Sequence, residues 1–205
     1  MNDYQLIGPL ILFFSAADLL LHIVLDFRKM QTPRRYSDTA NDVETPKTAL
    51  GAATLSTLLL FSIVFLLSVG WFVLPVNDFL GLIRFIRPGL MLEFTGLFLF
   101  CGGVLLNGWS RFVRKNMASS WDMTDNHRLV TTGPYGWIRH PSYSSYLICI
   151  LGVNFLLPSV LSILLLIGIP AYYSISLHEE ELLISQFGDE YRQYMQQTGR
   201  FIPRV

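Results

Sequence analysis

Long runs of apolar residues alternate with short polar segments along most of this chain. Three runs are long enough to cross a bilayer as helices, because about 20 apolar residues span its hydrocarbon core; they cover residues 4–27, 49–75 and 89–110. A fourth run, 142–177, is longer than one span, and Pro158 interrupts it near its middle. We therefore predict two short or tilted helices in a tight hairpin here, and about five transmembrane helices in all.

The composition agrees with an all-α integral membrane protein. Hydrophobic residues make up 52% of the 205 positions and charged residues only 15%, whereas soluble domains carry about a quarter. The net charge is zero, so the charge balance gives no indication of a nucleic-acid partner. Cys101 and Cys149 have no partner at metal-ligand spacing, and His127 and His140 lack a third ligand, so no metal site is predicted.

Basic residues are distributed unevenly between the two sides of the predicted helices. Of the 15 Lys and Arg residues, all except Arg84 and Arg87 lie in the loop 28–48, in the segment 111–141 or in the C-terminal tail. Because cytosolic loops carry an excess of Lys and Arg, we expect the N-terminus outside and these three segments in the cytosol. No basic residue precedes the first span, which is also too long for a signal peptide, so we expect it to be retained.

Two helices are predicted beside the spans. Residues 78–89 have the pattern of a short interfacial helix on the outer side. Residues 178–203 are predicted as one amphipathic cytosolic helix, because apolar residues recur there at spacings of three to four; these are Leu182, Leu183, Phe187, Tyr191 and Tyr194. Small residues in the third span predict close helix packing, namely Gly96, Gly102, Gly103 and Gly108.

The chain divides into two predicted parts. Residues 1–115 hold three transmembrane helices and the cytosolic loop 28–48, and residues 116–205 hold a cytosolic elbow, the hairpin 142–177 and the C-terminal helix. In the first span, Asp18 and His22 are four residues apart and share a helix face. Two interpretations of this pair remain: a functional role, or a hydrogen bond between Asp18 and His22 that fixes the helix.

The chemistry concentrates at the two ends of the predicted hairpin. The elbow "GPYGWIRHPSYSSY" (133–146) enters it, and Glu179, Glu180 and Glu181 leave it, so both ends lie at the cytosolic mouth. Adjacent helical residues point about 100° apart, so at least one of the three carboxylates should face the bundle. A pocket is predicted there, with carboxylates opposite aromatic walls from Tyr135, Trp137, Tyr143 and Tyr146. Carboxylates and aromatic faces suit a cationic, purine-bearing small molecule.

The stretch "HRLVTTGPYGWIRHPSYSSY", the apolar hairpin and "EEELLISQFGDEYRQYMQQTGRFIP" resemble the integral-membrane methyltransferases of the isoprenylcysteine carboxyl methyltransferase family. The wider group includes phospholipid N-methyltransferases. The resemblance covers residues 119–203 and implies five spans with a cytosolic S-adenosylmethionine pocket that the C-terminal helix closes. It also implies cofactor contacts from His127, Leu129, Val130, Gly133, Tyr135, Arg139, His140, Pro141, Tyr143, Glu180 and Glu181.

By this resemblance the chain is a methyltransferase that transfers a methyl group from S-adenosylmethionine to a lipophilic or lipidated acceptor in contact with membrane lipids. A carboxylate or thiolate acceptor needs no base, whereas an amine or thiol does, and His140 or His178 could serve. Arg139 is the other catalytic candidate. Acceptor-site candidates are Asn107, Tyr146 and His178.

The methyl acceptor stays open. Prenylcysteine enzymes of this family usually carry an arginine about one turn before the glutamates, but no Lys or Arg occurs between Arg139 and Arg192 here. A buried carboxylate without a cationic partner is costly. Prenylcysteine carboxylates, phospholipid amines and small thiols therefore all remain candidates, as does a non-enzymatic membrane protein that binds lipid or a partner on the same scaffold.

Overall fold

The computed structural model describes residues 7–30, 46–70, 72–114 and 128–204, and these fold almost entirely into α-helices. In chain order the helices are α1 (Ile7–Met30), α2 (Lys47–Gly70), α3 (Leu74–Ile83), α4 (Leu90–Arg114), α5 (Pro141–Leu156), α6 (Val160–Leu164), α7 (Gly168–Phe187) and α8 (Asp189–Gln197). Short 3₁₀ helices occupy Gly133–Gly136 and Leu165–Ile167. The prediction of an all-α fold is confirmed.

Four helical stretches in the described part of the chain are long and apolar enough to cross a membrane. They are Ile7–Leu25, Lys47–Gly70, Leu90–Arg114 and Val160–Phe187. The first three correspond to the first three predicted spans, and the fourth contains the second arm of the predicted hairpin. The first arm, α5, is apolar but has only 16 residues. Of the five predicted spans, four therefore have full spanning length and one is shorter.

The hairpin turns where the sequence predicts it. α5 ends at Leu156, two residues before Pro158, and Ser159 begins α6 with a capping box in which its hydroxyl oxygen accepts from the backbone N–H of Ser162. In return, the backbone N–H of Ser159 donates to the Ser162 Oγ at 3.1 Å. These reciprocal bonds satisfy backbone donors that a helix start leaves open. The turn fixes both ends of the hairpin at one mouth.

Two predicted helices have different bounds. The predicted helix 78–89 is wrong in position, because α3 covers Leu74–Ile83 and begins with a proline in its first turn. The single helix predicted for 178–203 is also wrong. Gly188 adopts a positive φ of 55°, which ends α7 and starts α8 in a new direction. A left-handed backbone at Gly is a common helix stop.

Helices α4 and α5 pack at very close range, which sets the position of the site. An added Cβ at Gly96 of α4 lies 2.8 Å from the carbonyl oxygen of Gly152 in α5, and one at Gly103 lies 2.5 Å from the Cys149 Sγ. Side chains larger than hydrogen do not fit there. The predicted close packing is thus confirmed at Gly96 and Gly103, but it is wrong at Gly102, where an added Cβ has no neighbour within 4 Å.

Candidate functional site

The elbow is held in place by the end of the chain. Its backbone runs beside residues 199–201, where the Arg139 N–H donates to the Gly199 carbonyl at 2.8 Å and the His140 N–H donates to the Arg200 carbonyl at 3.0 Å. In return, the Gly199 N–H donates to the Trp137 carbonyl at 3.0 Å. Pro141 then starts α5, a position where the missing N–H costs nothing. The elbow is therefore fixed from both sides.

A buried ion cluster joins the elbow to α7 and to the chain end. The Arg139 Nε lies 2.8 Å from the Glu180 Oε1, and Nη2 of Arg200 lies 2.6 Å from Oε2 of the same carboxylate. Arg139 also donates through Nη1 to the main-chain carbonyls of Met195 and Thr198. We call Arg139, His140, Glu180 and Arg200 the clasp. Both Glu180 oxygens pair with cationic side chains of the clasp. This carboxylate therefore joins the elbow, α7 and the residues after α8.

His140 lies between two carboxylates. Its Nδ1 is 3.3 Å from Oε2 of Glu179 and its Nε2 is 3.3 Å from Oε1 of Glu180. A neutral imidazole donates from one nitrogen only, so it would turn a lone pair toward one carboxylate. Burial lowers the pKa of His140, but the hydrogen bonds to Glu179 and Glu180 outweigh burial, and the net pKa is raised above its ordinary value. The geometry thus favours an imidazolium.

A cavity of about 260 Å³ opens between the elbow, the end of α4, the start of α5 and the helices α7 and α8. The elbow and α5 contribute the largest share of its wall, α4 contributes two arginines, and α8 contributes two tyrosines. The lining residues are Asn107, Arg111, Arg114, Arg128, Leu129, Val130, Tyr135, Arg139, His140, Pro141, Ser142, Tyr143, Tyr146, Glu179, Leu183, Tyr191 and Tyr194. We call it the main cavity.

Three arginines line the main cavity outside the clasp: Arg111, Arg114 and Arg128. The first two occupy the last turn of α4, where a cation is favoured by the helix dipole. The sequence shows no Lys or Arg between Arg139 and Arg192, yet the fold supplies cationic groups to this cavity from another helix. An anionic group of a ligand can therefore be bound here.

The acidic wall of the cavity comes from Glu179. Its Oε1 accepts a hydrogen bond from the Tyr143 hydroxyl at 2.8 Å, and its Oε2 faces His140. Tyr143 in turn stacks on the His140 ring at 5.6 Å between centroids and on Tyr172 at 5.3 Å. Tyr146 stacks on the same Tyr172 ring at 5.7 Å. This aromatic column holds the Glu179 carboxylate against the cavity.

One buried hydroxyl in the cavity wall has no hydrogen-bond partner among the residues that the structure describes. Tyr191 is 1% exposed and its Oη is unsatisfied, while Tyr194, one turn further along α8, donates to the Tyr135 carbonyl at 2.6 Å. Burial raises the pKa of Tyr191, so its hydroxyl stays a neutral donor. Buried polar groups are nearly always paired. The Tyr191 hydroxyl is thus a ready contact for a ligand.

The structure brings together most of the predicted site residues. Those that line the main cavity are Leu129, Val130, Tyr135, Arg139, His140, Pro141, Tyr143, Asn107 and Tyr146. Glu180 lies in the clasp, and Glu181 is exposed and lies outside the cavity wall. His178 is also absent from the wall, and its Nδ1 lies 2.8 Å from the Ser174 carbonyl. His127 lies outside the described residues.

Two further predicted groups stand outside the cavity wall. Gly133 has φ +61° and packs on α4, where an added Cβ meets Val113 at 2.8 Å, so it shapes the elbow. Trp137, predicted as an aromatic wall, is 58% exposed and contacts Trp109 edge to face at 6.0 Å. Among the described residues, no group of three His, Cys, Asp or Glu side chains is placed to hold a metal ion.

Sequence reasoning missed several cavity residues. Glu179 faces the cavity, whereas Glu181 is exposed. The rotation of α7 about its own axis relative to the elbow decides which glutamate faces inward, and sequence periodicity alone does not fix that rotation. Tyr191 and Tyr194 have a visible signal, since both belong to the apolar stripe of 178–203, but such a stripe predicts packing and not a cavity wall. The sequence uses the arginines of the cavity only as evidence for membrane orientation; they are Arg111, Arg114 and Arg128.

Comparison with known proteins finds a matching family model and several relatives. Residues 92–190 match the model of the phospholipid methyltransferase family. The chain is 39% identical over 82 residues to a protein-S-isoprenylcysteine O-methyltransferase of Schizosaccharomyces pombe, a match that covers 39% of this chain and 35% of that protein. The corresponding protein of Tribolium castaneum is 37% identical over 92 residues, with 41% of this chain and 31% of that protein covered.

The Homo sapiens protein of the same name is 29% identical over 119 residues, which cover 56% of this chain and 42% of that protein. The matched stretch thus spans less than half the length of these relatives. A solved structure of the eukaryotic intramembrane Ras methyltransferase, isoprenylcysteine carboxyl methyltransferase, has a TM-score of 0.49 and 20% identity, with 98% of this chain and 70% of that one covered.

The sequence similarity and the four apolar helices identify an integral membrane protein. The matched range also spans the elbow, the hairpin and the three glutamates at 179–181. The predicted resemblance is therefore confirmed: the chain is similar to the isoprenylcysteine carboxyl methyltransferase-like family of integral-membrane methyltransferases.

Proposed function

We propose that this chain is a membrane methyltransferase that binds S-adenosylmethionine in the main cavity and methylates a lipophilic acceptor. The observation that carries the proposal is the wall of the main cavity. Residues that the family resemblance assigns to cofactor binding, including Leu129, Val130, Tyr135, Pro141 and Tyr143, line one cavity. The relatives in sequence are protein-S-isoprenylcysteine O-methyltransferases.

The chemistry of the wall fits such a cofactor. Glu179 and the aromatic rings suit a cation and an amine, and the arginines of α4 suit a carboxylate. The unpaired Tyr191 hydroxyl provides a donor for a ligand acceptor atom. Apolar side chains, among them Leu129, Val130 and Leu183, suit the face of a flat heterocycle. The sulfonium, the amine, the carboxylate and the heterocycle of the cofactor thus each have a complementary group in the wall.

When bound, S-adenosylmethionine supplies an electrophilic methyl group on a positively charged sulfur. The contribution of the protein is to hold the acceptor in line with that methyl group and to exclude water. His140, kept protonated by Glu179 and Glu180, is unsuited to accept a proton and instead positions Glu179. Arg139 is engaged by Glu180, so it positions the elbow and acts on the reaction only through it.

The proposed active site faces the cytosol in a protein with about five spans. Arg84 and Arg87 precede α4, whereas Arg111 and Arg114 end it, roughly 37 Å away along the helix axis. The excess of basic residues at the cavity end supports a cytosolic placement. α8 and the chain end, which close the cavity, then lie on the same side. A reporter fused to the C-terminus and active only in the cytosol tests this orientation.

The first experiment is calorimetric titration of the detergent-purified protein with S-adenosylmethionine and S-adenosylhomocysteine. We expect saturable 1:1 binding that Glu179→Gln weakens, because that carboxylate lines the cavity, while Glu181→Gln, an exposed neighbour, leaves it unchanged. Absence of binding by the well-folded wild type overturns the methyltransferase proposal. The scaffold would then belong to a protein that binds lipid or a partner without catalysis.

A further inference from the structure

A second, smaller cavity adjoins the main one on its membrane side. Its volume is about 40 Å³, and it lies among α1, α2, α4 and α5. Asn107 and Tyr146 line both cavities, so these two side chains form the shared wall. The remaining wall is mostly apolar, with Leu60, Val64 and Phe100 among its members. We call it the inner cavity.

A buried carboxylate lies in the wall of the inner cavity. Asp18 of α1 is 9% exposed, and its Oδ1 accepts a hydrogen bond from the Asn107 Nδ2 at 3.2 Å. Two serines, Ser15 and Ser145, are the other small polar groups of the wall. Burying a carboxylate in a membrane helix is costly, and such residues commonly have a functional role. Because Asp18 lines the inner cavity, a group bound there would contact this carboxylate.

The two cavities differ in the sign of their charge. Arg111, Arg114 and Arg128 line the main cavity, whereas the lining of the inner cavity, among the residues that the structure describes, contains Asp18 and no Lys or Arg. An anionic group therefore finds its partners in the main cavity. A group that donates hydrogen bonds or carries positive charge finds an acceptor in Glu179 of the main cavity, which the proposed function assigns to the donor, and in Asp18 of the inner cavity.

We propose that the inner cavity receives the nucleophilic group of the methyl acceptor and that Asp18 makes it select an amine over a carboxylate. This inference rests on the proposed function, and it names the class of acceptor. Asp18 belongs to α1, which lies outside the residues 92–190 that match the family model. The selectivity is therefore a property of this chain's own first helix.

The charge balance of the reaction favours this assignment. The amine reacts in its neutral form, after its ammonium proton has passed to water. Its nitrogen lone pair then forms the new N–C bond while the S–C bond of the donor breaks, so the positive charge moves from sulfur to nitrogen. A carboxylate beside the nitrogen stabilises that charge as it develops. In methylation of a carboxylate, the acceptor brings a negative charge toward Asp18, and like charges in a buried site repel.

The decisive variant is Asp18→Asn. It removes the charge but keeps a side-chain oxygen that can still accept from Asn107, so the contact between α1 and α4 is retained. The matched control is Asp189→Asn, because Asp189 is an exposed residue of α8 whose ion pair with Arg192 is also exposed. Both variants are made in the full chain, and thermal unfolding checks that both fold.

Two readouts are measured. The first is calorimetric binding of dodecylamine and of dodecanoate to the detergent-solubilised protein, without donor. The second is transfer of a labelled methyl group to dodecylamine or to N-acetyl-S-farnesylcysteine, a carboxylate acceptor. We expect the wild type to prefer the amine in both, and Asp18→Asn to reduce that preference by about tenfold, with S-adenosylhomocysteine binding unchanged.

The inference is overturned if the wild type prefers dodecanoate and the farnesylcysteine carboxylate. The acceptor carboxylate would then bind to the arginines of the main cavity. An unchanged amine preference in Asp18→Asn overturns it as well, and Asp18 then serves only to fix α1 on α4. If S-adenosylhomocysteine does not bind, the proposed function fails instead. The amine binding measured without donor still decides whether the inner cavity recognises an amine.

Discussion

Arg139 and Glu180 form an ion pair with 2.8 Å between Nε and Oε1, and their side chains are only 9% and 4% exposed. The two residues are 41 positions apart, yet the hairpin of α5 to α7 brings them to one mouth. Arg200 completes the pair from the chain end at 2.6 Å. The elbow, α7 and the end of the chain are therefore joined at a single carboxylate.

Glu180→Gln tests this clasp. The variant leaves Arg139 buried without its counterion, and removing one member of a buried ion pair costs about 3 kcal/mol, which corresponds to a Tm lower by roughly 10 °C in a chain of this size. Thermal unfolding in detergent measures it. The exposed neighbour in Glu181→Gln should leave the Tm unchanged. Equal Tm values for both variants and the wild type contradict a structural role for the clasp.

Tyr191 and Tyr194 form a natural matched pair on α8. Tyr194→Phe loses the hydrogen bond to the Tyr135 carbonyl and should destabilise the protein by about 1 kcal/mol. Tyr191→Phe removes a buried hydroxyl that has no partner within the described part of the chain, so we expect the stability of this variant to be unchanged or slightly raised. Its affinity for S-adenosylhomocysteine should fall by about threefold to tenfold, because the ligand loses a donor.

Thermal unfolding and calorimetric titration of both variants separate the two effects. A Tyr191→Phe protein with full affinity shows that the hydroxyl does not contact the cofactor. A destabilised Tyr191→Phe protein shows instead that the hydroxyl is paired within the fold.

The sequence predicted the all-α fold, the long apolar helices and the hairpin turn, because apolar runs and Pro158 are local signals. The spans, the hairpin turn and the meeting of the elbow with the glutamates follow from such signals. The helix break at Gly188 was missed, since "QFGDEY" keeps an apolar spacing through the glycine. The inward placement of Glu179 depends on how α7 is rotated against the elbow, and only tertiary packing sets that rotation.

Gly152→Ala tests the close contact that places the end of α4 over the cavity. An added Cβ at Gly152 lies 2.8 Å from both the Gly96 carbonyl oxygen and the Phe100 backbone nitrogen, so the helices must separate. Overpacking of this kind costs about 1–3 kcal/mol, and the shift should also weaken S-adenosylhomocysteine binding. Gly102→Ala on α4 is the control, because its Cβ meets nothing within 4 Å. Equal Tm values for the two variants contradict the tight interface.

The protonation of His140 gives the site a defined pH dependence. Its pKa in the folded protein is raised above the ordinary value of 6.5 by hydrogen bonds to Glu179 and Glu180, although burial opposes the shift. A raised pKa means that the folded state binds the proton more tightly. The stabilisation is therefore complete below about pH 6.5 and is lost as the pH rises through the folded pKa. The hydrogen bond to Glu180 raises the pKa of Arg200, so this neighbouring guanidinium stays charged throughout the window.

We therefore expect the Tm of the wild type to fall between about pH 6 and about pH 9 by more than that of His140→Gln. The glutamine cannot be protonated in this range, so the variant lacks this proton linkage, while its side-chain NH2 group can still donate to a carboxylate. Thermal unfolding of both proteins across this range, in one detergent and at constant ionic strength, measures the difference. Parallel Tm profiles would mean that His140 is neutral when folded, in which case it regains the capacity to accept a proton and becomes a candidate base for an amine acceptor.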